Sequence, residues 1–152
     1  MAKLTINNLK SEIKNNFKSE EIVVTTNTGK EFTVKIEKNI RDSKMNNIVS
    51  ELGELAQFCL DNNIKFEIMS TIYMLILKHL TDIPFSDIPN LKDRYSINLE
   101  MFANIIDLDL FEQIISNFQQ ESVDKICMSF DKYRHGMKLA EDVVIKQAIY
   151  EE

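Results

Sequence analysis

The sequence predicts a mainly α-helical domain with a single β-hairpin near its N-terminus. Three observations carry that expectation. Glycine and proline are scarce, three and two in 152 residues, which disfavours turn-rich sandwiches and barrels. Apolar residues recur at spacings of three and four along most of the chain. Only one segment, residues 21–36, alternates apolar and polar around a turn that contains glycine. With 44% hydrophobic and 28% charged residues, the chain has an ordinary globular balance and enough length to bury its own core. Residues 1–152 therefore read as one domain, with a helix and hairpin over 1–41 and a helical body over 42–152, a bundle of five to six helices in all.

Ile6, Leu9, Ile13 and Phe17 share one helical face, and Thr5 is placed to cap that first helix. The strands follow at 21–26 and 31–36. Phe32, Val34 and Ile36 point one way, Thr33 and Lys35 the other, and Gly29 supplies a positive φ for the turn between them. A lone hairpin is marginal in water, so it must pack on a helix or extend a sheet. Asp42-Ser43 caps a second helix whose stripe runs through Met45, Ile48, Leu52, Leu55 and Cys59, and Asp61-Asn62-Asn63 closes it. The third helix, 65–80, is apolar around most of its circumference and is expected to be central. Pro84 and Pro89 frame a linker over 81–90, in which Phe85 and Ile88 are expected to pin the chain to the body. Helices follow at 97–106 and at 110–118 with Asp109 as cap. A last helix, from Glu121 through Val123, Ile126, Phe130, Tyr133 and Met137, runs to about Tyr150, with Gly136 marking a bend or an end.

Charge is uneven. Residues 1–50 hold nine Lys and Arg against six acids, whereas residues 51–152 hold nine against eighteen. An acidic surface repels phosphate backbones, so nucleic acid is excluded as a partner. The longest apolar segment carries Lys65, Glu67, Lys78 and His79, too short and too charged to cross a bilayer. No signal-like apolar stretch opens the chain, and two cysteines without a CxxC pair fit a reducing cytoplasm.

Catalytic and metal-binding patterns are weak. His79 and His135 lack partners at ligand spacing, and Cys59 and Cys127 sit among apolar neighbours. Asp82 with Asp87, and Asp107 with Asp109, are explained by turns and caps. Gly29-Lys30 lacks the rest of a phosphate loop. These residues point to a protein without enzymatic activity, cofactor or metal.

The order of elements carries a resemblance. Lys3-Leu4-Thr5-Ile6-Asn7-Asn8-Leu9-Lys10 precedes the hairpin, and the apolar helix 68–78 ends in His79-Leu80-Thr81-Asp82-Ile83-Pro84-Phe85. Leu108-Asp109-Leu110-Phe111-Glu112-Gln113-Ile114-Ile115 and a long helix follow. Taken together this resembles small proteins of the structural gene modules of tailed phages that infect low-GC Gram-positive bacteria, described as tail assembly chaperones. The resemblance implies a non-enzymatic protein of the host cytoplasm or the virion that binds a tape-measure or tail-tube protein, with homo-oligomers a further expectation. Such a role needs apolar surface for amphipathic helices. Met45, Met69, Met74, Met101, Met128 and Met137 either supply an adaptable part of it or fill the core. The contact residues expected on the hairpin and linker are Ile22, Val24, Phe32, Val34, Ile36, Phe85 and Ile88. Three other classes stay open: a small acidic inhibitor or adaptor of a host or defence protein, a virion component that joins its neighbours by the hairpin edge, and, as the weakest, an enzyme using Cys59, Cys127 or the acid pairs.

Overall fold

In a computed structural model that describes residues 3–132, the chain is mainly helical with one N-terminal antiparallel hairpin. Helix α1 (Ile6–Asn16) precedes β1 (Ser19–Thr25) and β2 (Glu31–Glu37). Helices α2 (Asp42–Asp61), α3 (Ile68–Leu80), α4 (Leu91–Asp107) and α5 (Phe111–Ile115) follow. A further helix, α6, occupies residues 120–132 to the end of the described chain. Tyr133, His135, Gly136, Met137 and the expected continuation to Tyr150 lie outside the described residues.

Helix α3 sits at the centre, as its all-round apolar sequence requires. Ile72, Met74, Leu75, Ile76, Leu77 and Leu80 are buried in it. Helix α2 covers one side with Ile48, Leu52, Leu55 and Cys59, and α4 another with Tyr95, Phe102 and Ile105. Val24, Val34 and Ile36 of the hairpin join the same core, as do Ile114, Phe118, Val123, Ile126 and Phe130. One cluster of buried side chains therefore links the hairpin to every helix from α2 to α6.

The hairpin forms with the register Ile22↔Val34 and Val24↔Phe32. Gly29 takes φ +88°, a left-handed value that costs other residues, and its N–H donates to Thr26 O at 2.9 Å. Neither edge is left wholly open. The chain leaving α3 makes a bridge between Thr81 and Ile36, and the Lys35 N–H donates to Asp82 Oδ1 at 2.9 Å. On the other edge, Gln113 imitates a strand. Its Oε1 accepts from the Thr25 N–H at 2.9 Å and its Nε2 donates to Thr25 O at 2.8 Å. The tip is held as well, because Asn27 Nδ2 donates to Asp107 O at 3.0 Å.

Several boundaries depart from expectation, each for a local reason. Arg41, not Asp42, occupies the N-cap of α2 and gives no side-chain cap; Asp42 instead lies in the first turn, where its charge suits the helix dipole. Helix α3 starts at Ile68 rather than 65, behind a stretch held by the Glu67 N–H donating to Tyr95 Oη at 3.2 Å. Helix α4 starts six residues earlier than expected, because Asn90 Oδ1 accepts from the Asp93 N–H at 3.0 Å. Asp109 does not cap α5. It turns the chain at φ +60°, Leu110 takes the cap, and α5 ends after five residues. Ile88 does not pin the linker and stands exposed. That work falls to buried Phe85 and to Asn98, whose Oδ1 and Nδ2 hold the N–H and carbonyl of Ser86 at 2.7 and 3.0 Å.

A charge network locks the C-terminal end of α3. Glu51 of α2 accepts from Lys78 Nζ and lies 2.6 Å from His79 Nε2. Lys78 also reaches Asp87 of the linker at 2.6 Å, and Arg94 of α4 lies 3.8 Å from Glu51 and 3.3 Å from Glu54. Burial alone would raise the Glu51 pKa. Hydrogen bonds from His79 and Lys78 outweigh it and lower the carboxyl from its ordinary 4.5 to about 2. Nearby, Lys44 Nζ donates to the His79 carbonyl at 3.2 Å and to Glu37 at 3.0 Å, joining the end of α3 to the end of β2.

Two outcomes follow from this packing. Leu75→Ala, at a fully buried site, is expected to cost about 2–5 kcal/mol, read as a lower denaturation midpoint at unchanged slope in urea. The Glu51 carboxylate titrates lower in the folded chain than in the unfolded one, so its stabilisation is complete above pH 4.5 and is lost as pH falls towards about 2. At full strength it contributes roughly 3 kcal/mol. Glu51→Gln should therefore be less stable than wild type at pH 7, with the gap closing as both are acidified; a gap independent of pH would show that the network does not hold Glu51 ionised.

Candidate interaction surface

The residues expected to meet a partner divide into two groups. Val24, Val34, Ile36 and Phe85 are core residues, and Ile22 is half-buried against that core. Their apolar face is spent on the chain's own helices. Phe32 and Ile88 remain at the surface, Phe32 with Lys30 Nζ 5.1 Å from its ring centroid. Val23, on the opposite face of β1, is also exposed. The methionines divide in the same way: Met74 is buried, Met45 and Met101 are half-buried, and Met69 and Met128 are exposed.

The two most exposed large apolar side chains among the described residues, Leu4 and Ile6, lie outside the expected contact set. Helix α1 has no buried residue. Leu4 is 81% exposed, Ile6 71%, Leu9 46% and Ile13 45%. Ile6, Leu9 and Ile13 fall at i, i+3 and i+7, a narrow stripe along one side of the helix. The helix is nonetheless built with care. Thr5 Oγ1 accepts from the Asn8 N–H at 3.1 Å, and Asn8 Nδ2 donates back to Lys3 O at 2.6 Å. Its far end is tethered by Asn39 Nδ2, which donates to Asn16 O at 3.2 Å. Lys10 and Lys14 flank the stripe, with Lys3 before the helix and Lys18 after it, against Glu12 alone. The periodicity announces this helix but does not say whether its stripe faces inward. The signal available in the sequence was the basic character of the first third of the chain together with a connection of only two residues to β1.

The groups weighed for chemistry have structural surroundings. Burial raises the Cys59 thiol pKa, and burial followed by the charges of Asp124 and Asp131 raises that of Cys127, so both favour the protonated form. Asp82 and Asp87 are engaged by Lys35 and Lys78, and Asp109 O accepts from Gln113 Nε2 at 2.6 Å. Among the described residues no three His, Cys, Asp or Glu side chains gather closely enough to hold a metal ion, and no helix is long and apolar enough to cross a membrane.

No curated protein and no solved structure matches the chain. One family model does, under the name YomO, a name of the Bacillus phage type that is consistent with a phage-associated protein. It matches residues 6–150, nearly the whole chain, and the protein therefore belongs to the YomO family.

Proposed function

We propose that this protein acts in virion tail assembly as a non-enzymatic binding protein, in the manner of a tail assembly chaperone, with a tape-measure or tail-tube protein as its partner. The observation that carries the reading is α1: a capped amphipathic helix whose apolar stripe stands exposed among the described residues. Exposed leucine and isoleucine at helical spacing lower their free energy by meeting another apolar surface, at about 25 cal/mol per Å² of apolar area covered. Membership of a family with a phage-type name supports the setting. Phe32 and Ile88 offer further apolar contacts on the body.

Co-expression with the structural proteins of the same phage provides the test. The chain is expected to co-purify with the tape-measure or tail-tube protein, in several copies and in high salt, because apolar contacts tolerate salt while surface ion pairs are screened. A 1:1 complex with a host protein whose association rate falls steeply with salt would instead establish the acidic adaptor reading, which the acid-rich body favours.

A further inference from the structure

We propose that the docking site for α1 is the outer face of α4 on a second copy of this chain. The proposal rests on the reading of α1 as an intermolecular docking element and names its occupant. Two faces of the molecule fit one another. On α4, Asp93, Glu100 and Asp107 are exposed and recur every seven residues, about 10 Å apart along one side of the helix. Among the described residues none of the three carboxylates has an ion-pair partner. Ser96 and Ala103, also seven apart, run beside the acids, with exposed Ile106 beyond Ala103 and exposed Ile97 on the other side of the acids. The result is an acidic outer face with a strip of small and apolar side chains beside it, on a helix whose other side is in the core.

Helix α1 has the complementary properties. Its apolar stripe is narrow, and Lys10 and Lys14 run along one side of it. Lys3 adds a further positive charge just before the Thr5 cap, outside the helix itself. The helix is about 16 Å long, enough to span Glu100 and Asp107. Lys10 and Lys14 thus meet the acids while Ile6, Leu9 and Ile13 cover Ala103 and Ile106 beside them.

The contact is between molecules. Only residues 17 and 18 separate α1 from β1, and Asn39 holds the end of α1 at the base of the hairpin. The end of α4 is held at the opposite end, where Asp107 O receives Asn27 from the tip. Seven strand residues, about 20 Å, lie between them. Each copy thus offers a helix at one end and a seat near the other, a head-to-tail arrangement that propagates along a line or closes into a ring. A line of copies is a form suited to covering a long helical partner.

Sedimentation velocity over a concentration series tests this at low salt. The wild-type chain is expected to self-associate, with micromolar or weaker affinity for a contact of this size. Ile6→Asp with Ile13→Asp should remain monomeric. Lys10→Glu with Lys14→Glu, and separately Glu100→Lys with Asp107→Lys, should each weaken self-association by about tenfold or more. An equimolar mixture of those two charge variants should associate about as tightly as wild type, since each supplies the face that the other needs. All the substituted side chains are exposed, and unchanged thermal unfolding checks that the body is intact. A monomeric wild type, or an α4 reversal that leaves association unchanged, would overturn the proposal. So would a monomer that binds phosphatidylglycerol vesicles through α1, which would give the stripe to an anionic lipid surface. Capture of tail proteins by a chain that does not self-associate would overturn this proposal alone, and self-association without such capture would overturn only the proposed function.

Discussion

A helix that is apolar on nearly every side has no face to give to water, and the arrangement of this protein follows from enclosing one. Helix α3 carries isoleucine, leucine, methionine and tyrosine almost continuously from Ile68 to Leu77. One neighbouring helix cannot cover such a circumference. Helices α2 and α4 take two sides, and the hairpin and the α5–α6 segment close the rest. The last turn of α3 then poses a second problem, since Lys78 has only 7% of its side chain exposed. A buried ammonium must be paired, and Glu51, with Asp87 beyond it, provides the pairing. The same carboxylate meets His79 and Arg94, so the charge that makes Lys78 tolerable also fixes how α2, α4 and the linker sit around α3.

The hairpin is a wall of this enclosure rather than an arm. Its inward face belongs to the core, one edge is continued by Thr81 and Asp82, and the other is stopped at Thr25 by the side-chain amide of Gln113. Contacts of this kind shorten the stretch of each edge left open to a strand of another molecule. What the body withholds at the hairpin, α1 offers. It is the one described element that contributes nothing to the core, and it is attached through two residues to a strand that is firmly held. A mobile tether would blur the direction in which the stripe is presented. A short connection to a fixed wall defines it.

Most of the architecture could be read from periodicity, because a stripe of spacing three and four has few meanings within a globular chain. The centrality of α3, the Thr5 cap, the hairpin turn at Gly29 and the end of α2 at Asp61 all depend on residues within a few positions of one another. The failures have a common cause in side chains that act at a distance. Nothing near Gln113 indicates that it would complete a strand 88 residues away, and nothing near Asn98 indicates that it would clasp Ser86. The burial of Val24, Val34 and Ile36 lies beyond the same limit. Alternation in β2 shows that Val34 and Ile36 share a face but not what lies over it, and the stripe of α1 looks the same whether it is buried or bare. Inside and outside are properties of the assembled chain.

Helix α3 is the structural centre, and α1 stands apart from it with its apolar stripe exposed. Hydrogen exchange of the dilute monomer measures both halves of that statement at once. Amides of residues 71–80 should exchange only through global unfolding, whereas those of residues 6–16, in an isolated helix of 11 residues, should exchange faster by orders of magnitude. Comparable protection of the two helices in the monomer would contradict the account, because it would mean that α1 is already partnered within its own chain.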